Sequence, residues 1–409
     1  MEKINLENFS FVAVDRKKIL FVHQVCEIGG ASYCMLNLLK VIDRKQFCPI
    51  VVLPHAGPLS NEITKLKIPV EFCKSLCIYP YNRSLFSYGG MKELINVYSS
   101  RNAFEHILNK TKPDIVYFNN MFLFPYLDIT KRLNIKSVIH VRERWPQNQR
   151  QTQFRYLKHK ILNNADKIVA INKTSAAMIG DENHIPTVIY DWIDMESRRE
   201  DTDLIKIIGD SPDKLKLYIY TGGLQWIKGT YEVLKAFSEN VKDPNSRLLA
   251  LGIPAKIELK GIKGFIRKLL NVCRIPQFIF KVKYVLEHDE RIIPVDPIYN
   301  ITNLLEHCYC SLSYFKIPHA NLGMAECITL ELPVLAASTD EALEYSDNGT
   351  LANLFPINNY SAFVEKLCNI ENWWSSLSNE LSHNSHKIKE QFDRSSNIQK
   401  FNNMLEQLI

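Results

Sequence analysis

Short apolar bursts alternate with stretches of helical periodicity along this chain, and that alternation restricts the fold more than any other feature of the sequence. "KKILFVHQ", at 17–24, is an apolar run that leads to Gly29 and Gly30, after which Ala31, Cys34, Leu38 and Ile42 recur at helical spacing. The pattern predicts a strand, a glycine turn and a helix. Further strands are predicted at "CPIVVLP", "IPVEFC", "DIVYFNN", "KSVIHVRE" and "DKIVAIN", separated by helix-length segments such as "AFEHILNKTKP", whose proline follows the helix end. Strands alternating with helices build βαβ units and a mostly parallel sheet.

The alternation stops in a polar, charged stretch at 195–214 and then starts again. "LKLYIYTGG" reads as a strand and "KGTYEVLKAFSENV" as a helix with Leu234, Phe237 and Val241 on one face. "RLLALG", "RIIPVD", "CSLSYF" and "LPVLAAS" supply more strands, and "HKIKEQFDRSSNIQKFNNMLEQLI" a terminal helix. With 409 residues, 46% of them hydrophobic and 23% charged, the chain is long enough for two separate cores. The expected organisation is an N-terminal α/β domain over 1–200, a second over 201–385 and a C-terminal helix over 386–409, with 195–214 as the linker. No short period repeats, which excludes a solenoid.

The 50 Lys and Arg exceed the 44 Asp and Glu by only six, too mild an excess to predict a nucleic-acid partner. Ten cysteines lie mostly in apolar segments such as "CYCSLSYF", and neither Cys73 with Cys77 nor Cys308 with Cys310 has a second matched pair at zinc spacing. Buried reduced thiols and no metal are expected. "MEKINLENFSFVAVDRKKILFVHQV" lacks the regions of a signal peptide, and no apolar run reaches the roughly 18 residues of a membrane span. The expectation is a cytoplasmic protein.

Three places could carry chemistry. Gly29 and Gly30 stand where a strand gives way to a helix, so backbone N–H groups could hold an anion there and glycine would let it approach; a tight packing turn is the alternative. The fingerprint G-x-G-x-x-G is absent, which disfavours a dinucleotide cofactor. In "YTGGLQWIKGTYEVLKAF", Lys228 lies in the loop between a strand and a helix, where an ammonium can face a diphosphate; alone, it would read as a surface lysine. In "PHANLGMAECITLELPVLA", Glu326 lies on a short helix after a strand, where a carboxylate can accept bonds from the two hydroxyls of a ribose. The main-chain N–H groups of Leu322, Gly323 and Met324, at the start of that helix, could meet a phosphate.

Taken together and in order, Gly29-Gly30, "VIYDWID" at 188–194, "GGLQWIKG" at 222–229 and Glu326 with "CITLELPV" resemble the motifs of the family-four retaining glycosyltransferases of the GT-B fold. The family's counterparts are an early glycine pair, V-x-N-G-x-D, G-R-L-x-x-x-K-G, and E-x7-E followed by A-x-x-x-G-x-P-V. The resemblance implies two Rossmann-like domains facing across a cleft, with a nucleotide-sugar donor held mainly by the second. It implies Glu326 on the ribose, Lys228 at the diphosphate with Gly222 and Gly223 in the same loop, and no metal. Two departures stand out: the family's arginine falls at Gly223, and the first Glu of E-x7-E falls at Pro318. Pro318-His319 resembles a variant carrying Pro-His there, which makes His319 a candidate donor-sugar contact.

In "SVIHVRERW", His140, Arg142 and Glu143 end a strand of the first domain, and Asn119-Asn120 end another. The resemblance implies that His140 lies close to the transferred sugar, where it could orient a hydroxyl or share its proton; a strand-capping histidine beside an ion pair is the alternative. The implied reaction moves a sugar, with retention, to a hydroxyl of a glycan or lipid-linked acceptor in surface polysaccharide assembly. The rivals are a catalytically silent nucleotide- or glycan-binding protein of this fold and another GT-B enzyme, an epimerase or a phosphorylase. One insert remains: 253–285 carries eight Lys or Arg against one acid, interleaved with apolar residues. It suits either an anionic membrane surface, at the inner face of the cell membrane, or a helix packed on its domain with solvated lysines.

Overall fold

A computed structural model describes residues 16–81, 84–145, 149–193, 204–209, 211, 214–257, 277–297 and 301–409. The chain forms two compact units. Described residues of Met1–Ile171, Ala176–Ile189 and Ile398–Ile409 make the first, and those of Asn172–Ser175 and Tyr190–Asn397 make the second.

In the first unit the strands are β1 (Lys17–Val22), β2 (Phe47–Leu53), β3 (Val70–Phe72), β4 (Ile115–Phe118), β5 (Lys136–Val141), β6 (Lys167–Ala170) and β7 (Thr187–Val188). They lie side by side in the order β3-β2-β1-β4-β5-β6-β7, every pair parallel. Alternation along the strands sends Leu20, Val22, Val116, Phe118, Ile139 and Val141 into one apolar core. Phe21, Tyr117 and His140 alternate with them, and Phe401 of the last helix, Arg394–Glu406, packs edge-on against Tyr117 at 5.9 Å.

The second unit holds β8 (Lys216–Tyr220), β9 (Ser246–Leu251), β10 (Ile292–Val295), β11 (Cys310–Ser313), β12 (Val334–Ser338) and β13 (Asn353–Pro356). Their order is β10-β9-β8-β11-β12-β13, again all parallel. Both sheets are Rossmann-like. Each reverses its winding direction once, between β1 and β4 in the first and between β8 and β11 in the second, and open α/β sheets bind ligands in the crevice beyond the strand ends at such a point.

Every strand expected from sequence is present, and two unexpected ones close the sheet edges. β7 has two residues and β13 ends in Pro356. An edge strand pairs on one side only, so it needs neither length nor an apolar run. The expected terminal helix is two, His386–Gln391 and Arg394–Glu406, because the Asp393 carboxylate takes the Ser396 N–H at 2.7 Å and starts the second. Most of the linker stretch 195–214 lies outside the described residues, which include the short helix Leu204–Ile208. The nine described cysteines are free thiols. No helix among the described residues is long and apolar enough to cross a membrane.

Phe401 is fully buried. Phe401→Ala is therefore expected to cost the first unit about 3–5 kcal/mol, read as a lower urea midpoint for that unit's transition.

Candidate functional site

At the β1/β4 crevice of the first unit, His23 follows β1 and Asn119 follows β4. Both are completely buried. Asn119 Nδ2 donates to His23 Nδ1 at 3.2 Å, so the ring's proton sits on Nε2 and is donated to Ser32 Oγ at 3.0 Å. Ser32 in turn donates to the Glu27 carbonyl at 2.9 Å. On its other side Asn119 Oδ1 accepts from Arg142 Nε at 2.8 Å. Burial, with the Arg142 charge nearby, pushes His23 down to about 3, so it is a neutral linker between the helix Gly30–Val41 and the guanidinium.

Gly29 caps that helix in an extended conformation, and a Cβ at Gly29 or Gly30 would meet nothing within 4 Å. Packing does not demand glycine at either position.

His140 belongs to a different neighbourhood. It is 1% exposed, and its Nδ1 is hydrogen-bonded to the Tyr117 hydroxyl at 2.7 Å. Its Nε2 has no hydrogen-bond partner among the described residues. Burial first, then Arg142, holds the ring well below the usual histidine range. Glu143 accepts from Asn120 Nδ2, and burial pushes its carboxyl up to about 8 although Arg142 pulls the other way.

At the β8/β11 crevice of the second unit, one hydroxyl organises the loop after β8. Thr230 Oγ1 bonds the Gly223 and Gln225 carbonyls at 2.8 and 2.9 Å and the Gln225 N–H at 3.0 Å, while the Tyr220 hydroxyl lies 3.0 Å away. The bound loop needs its glycines: a Cβ at Gly222 would sit 2.1 Å from the Tyr220 hydroxyl, and Gly223 has φ +65°.

The same loop brings Lys228 over the Phe315 ring at 5.7 Å, and His319 lies 6.3 Å from that ring. The ammonium makes no ion pair among the described residues, and burial lowers its pKa. Burial and the Lys228 charge push His319 down to about 4, so the pair carries one positive charge.

After β11, Asn321 caps the helix Leu322–Thr329 and donates to Ser313 Oγ at 2.9 Å. Gly323 fits closely against Thr221, since a Cβ there would sit 2.6 Å from Thr221 Oγ1. Asn321 takes the Met324 N–H through its carbonyl and side chain, so of the three amides expected to face a phosphate only those of Leu322 and Gly323 are unspent among the described residues. One turn along, the Glu326 carboxyl makes no hydrogen bond or ion pair among the described residues, and burial pushes it up to about 7.

The sequence model described as Glycosyltransferase Family 4 matches residues 28–197. The chain resembles the family-four glycosyltransferases. No curated protein sequence matches it. HepE from Anabaena, solved with UDP and glucose, is 17% identical with a TM-score of 0.71, covering 96% of this chain and 100% of its own. A glycosyltransferase from Rickettsia africae is 16% identical with a TM-score of 0.70, covering 96% and 99%. A protein assigned as a UDP-N-acetylglucosamine 2-epimerase from Listeria monocytogenes is 14% identical with a TM-score of 0.56, covering 92% and 97%. At such identities these likenesses show a shared GT-B fold, and the fold alone does not choose the reaction.

Set against the family-four pattern, the structure gathers Gly222, Gly223, Lys228 and His319 with Leu322, Gly323 and Glu326 around the β8/β11 crevice. It gathers Gly29, Gly30, Asn119 and Arg142 at β1/β4. His140 is joined by its hydrogen bond to Tyr117 rather than to the Asn119 group. Sequence reasoning did not single out His23, Ser32, Thr230 or Phe315. The signal for His23 was present: it is a polar residue ending an apolar strand, the same signal that marks Asn119.

Glu326 fixes a pH dependence. Its pKa rises from the usual 4.5 to about 7 in the folded chain. The folded state therefore keeps a proton that the unfolded chain has released, and stability falls as pH rises across that window, by up to ~1.4 kcal/mol per unit. Glu326→Gln should match the parent at pH 4 and exceed its stability by about 1–3 kcal/mol at pH 8, measured by urea denaturation at both values.

Proposed function

We propose that the protein transfers a sugar from a nucleoside-diphosphate donor to a hydroxyl of a glycan or lipid-linked acceptor, with retention, in surface polysaccharide assembly. The observation that carries this reading is the half-buried Lys228, an ammonium with no counter-ion among the described residues, at the winding reversal of a Rossmann-like sheet. A desolvated cation in such a crevice is suited to an anionic ligand, and the negative charge on a departing diphosphate is stabilised there more strongly than in water.

This reading gives each residue a role. Lys228 and the Leu322 and Gly323 amides take the phosphates, Glu326 takes the ribose hydroxyls, and His319, neutral beside Lys228, contacts the donor sugar. On the acceptor side Arg142 is aimed by Asn119, with Glu143 nearby. His140, buried against Tyr117, is the group that orients or shares a proton in the transfer. The diphosphate itself assists attack on the same face, so the reaction needs neither a strong base nor a metal. A cytoplasmic protein at the inner membrane face would meet a lipid-linked acceptor; most of the basic insert 253–285 proposed for that contact lies outside the described residues.

HepE's complexes with UDP and with UDP-glucose make UDP the first nucleotide to try. A second reading, binding without turnover, is favoured by Gly223: its left-handed backbone is tied to Thr230 where the family has arginine. One series separates the two. UDP should raise the melting temperature of the parent and not of Lys228→Ala. Hydrogen bonds from ribose favour the charged carboxylate, so UDP binding at pH 6.5 should release more protons from the parent than from Glu326→Gln, by up to about one, in calorimetry across buffers. Sugar release from UDP-sugars that falls at least about tenfold in His140→Ala, with UDP binding retained, supports transfer. Binding without any turnover supports the silent protein, and no stabilisation by any nucleotide overturns both.

A further inference from the structure

The helix Tyr88–Thr111 of the first unit turns an apolar stripe outward. Tyr88, Met91, Ile95 and Tyr98 follow the three-and-four spacing that aligns side chains on one helix face, and all are more than half exposed. Phe86, in the turn that precedes the helix, is 93% exposed. Five large apolar side chains over three turns form a continuous patch, and such a patch on a water-soluble surface marks an interaction site.

The charges around the stripe identify what covers it. Exposed Lys92 flanks one side. On the other, Arg101 lies over the Tyr98 ring at 5.8 Å. The acid nearest Arg101, Asp128, is shared between Arg101 at 3.7 Å and Lys160 at 3.4 Å, so the trio keeps one positive charge. Tyr156, beside Tyr98, brings in the helix Gln151–Asn164, which carries Arg155, Lys158 and Lys160 and no acid. The stripe's own helix has one acid in its first three turns, Glu93, and it projects from the opposite side toward Cys77 and Tyr81. Further along, Glu105 is held by Arg132 at 2.7 Å. Aromatic and aliphatic side chains bordered by cations match the boundary of a lipid layer with anionic headgroups, where tyrosine and phenylalanine rings partition and lysine and arginine meet phosphate.

We infer that this face docks on an anionic lipid surface, with Phe86 and the Tyr88–Tyr98 stripe entering the headgroup layer and Lys92, Arg101 and Lys160 meeting phosphates at its borders. The contact is independent of the glycosyl-transfer reading and of the insert 253–285. Co-sedimentation of the full chain with vesicles of phosphatidylcholine, alone or mixed with phosphatidylglycerol, tests it. The parent should bind the mixed vesicles only, and weaken with salt. Ile95→Ser/Tyr98→Ser should lose about tenfold in partitioning with an unchanged melting temperature. Lys92→Glu, with the stripe intact, should lose severalfold. No binding to either vesicle, or binding that the double variant leaves unaltered, overturns the proposal. A parent that sediments as a dimer in solution, and becomes monomeric in the double variant, overturns it in favour of a second copy of the chain.

Discussion

Every strand in both sheets runs parallel to its neighbours, so the chain must return along the outside of the sheet between each pair of strands. That requirement decides nearly everything else. It covers both faces with helices and makes the strands apolar throughout. It also forces one reversal of winding in each sheet, and at that reversal two loops diverge and leave a crevice that no helix fills. Polar side chains at the ends of β1, β4, β8 and β11 are tolerated because they stand at these two places.

The two crevices are equipped differently. At β1/β4 the polar groups bond one another: a neutral His23 is held at both ring nitrogens, and Asn119 uses its other end to hold Arg142. At β8/β11 the backbone is the rigid part, cross-linked by Thr230, while Lys228 and Glu326 are left without ion-pair partners among the described residues. Burying a charge without compensation is costly, and the cost shows as the lowered pKa of the ammonium and the raised pKa of the carboxyl. A ligand that supplied phosphates to one and hydroxyls to the other would recover that cost, so part of its affinity is stored in the unliganded chain.

The loop after β8 also explains a departure from the family pattern. Where family-four enzymes carry arginine, Gly223 takes a left-handed backbone whose carbonyl is bonded by Thr230 and Tyr220. Arginine would be strained in that backbone, whereas glycine adopts it freely.

The sequence by itself determined the alternation of strands and helices, the presence of two units, and the positions of Gly29-Gly30, Lys228 and Glu326, because periodicity and strand-end residues are local signals. It did not reveal β7 or β13, since an edge strand needs little sequence to pair. It did not reveal the break at Asp393, where a capping carboxylate outweighs a helical pattern. Tertiary structure alone decided which partners the polar residues have. His140 lies in β5 and Arg142 just past its end, yet the His140 ring goes to Tyr117 on the neighbouring β4 and the Arg142 side chain to Asn119 just past the end of β4. Met324 spends its N–H on the cap while Leu322 and Gly323 do not. Hydrogen-bond partners and burial depend on which strands lie side by side, and strand order is set by long-range packing that no local window of sequence contains.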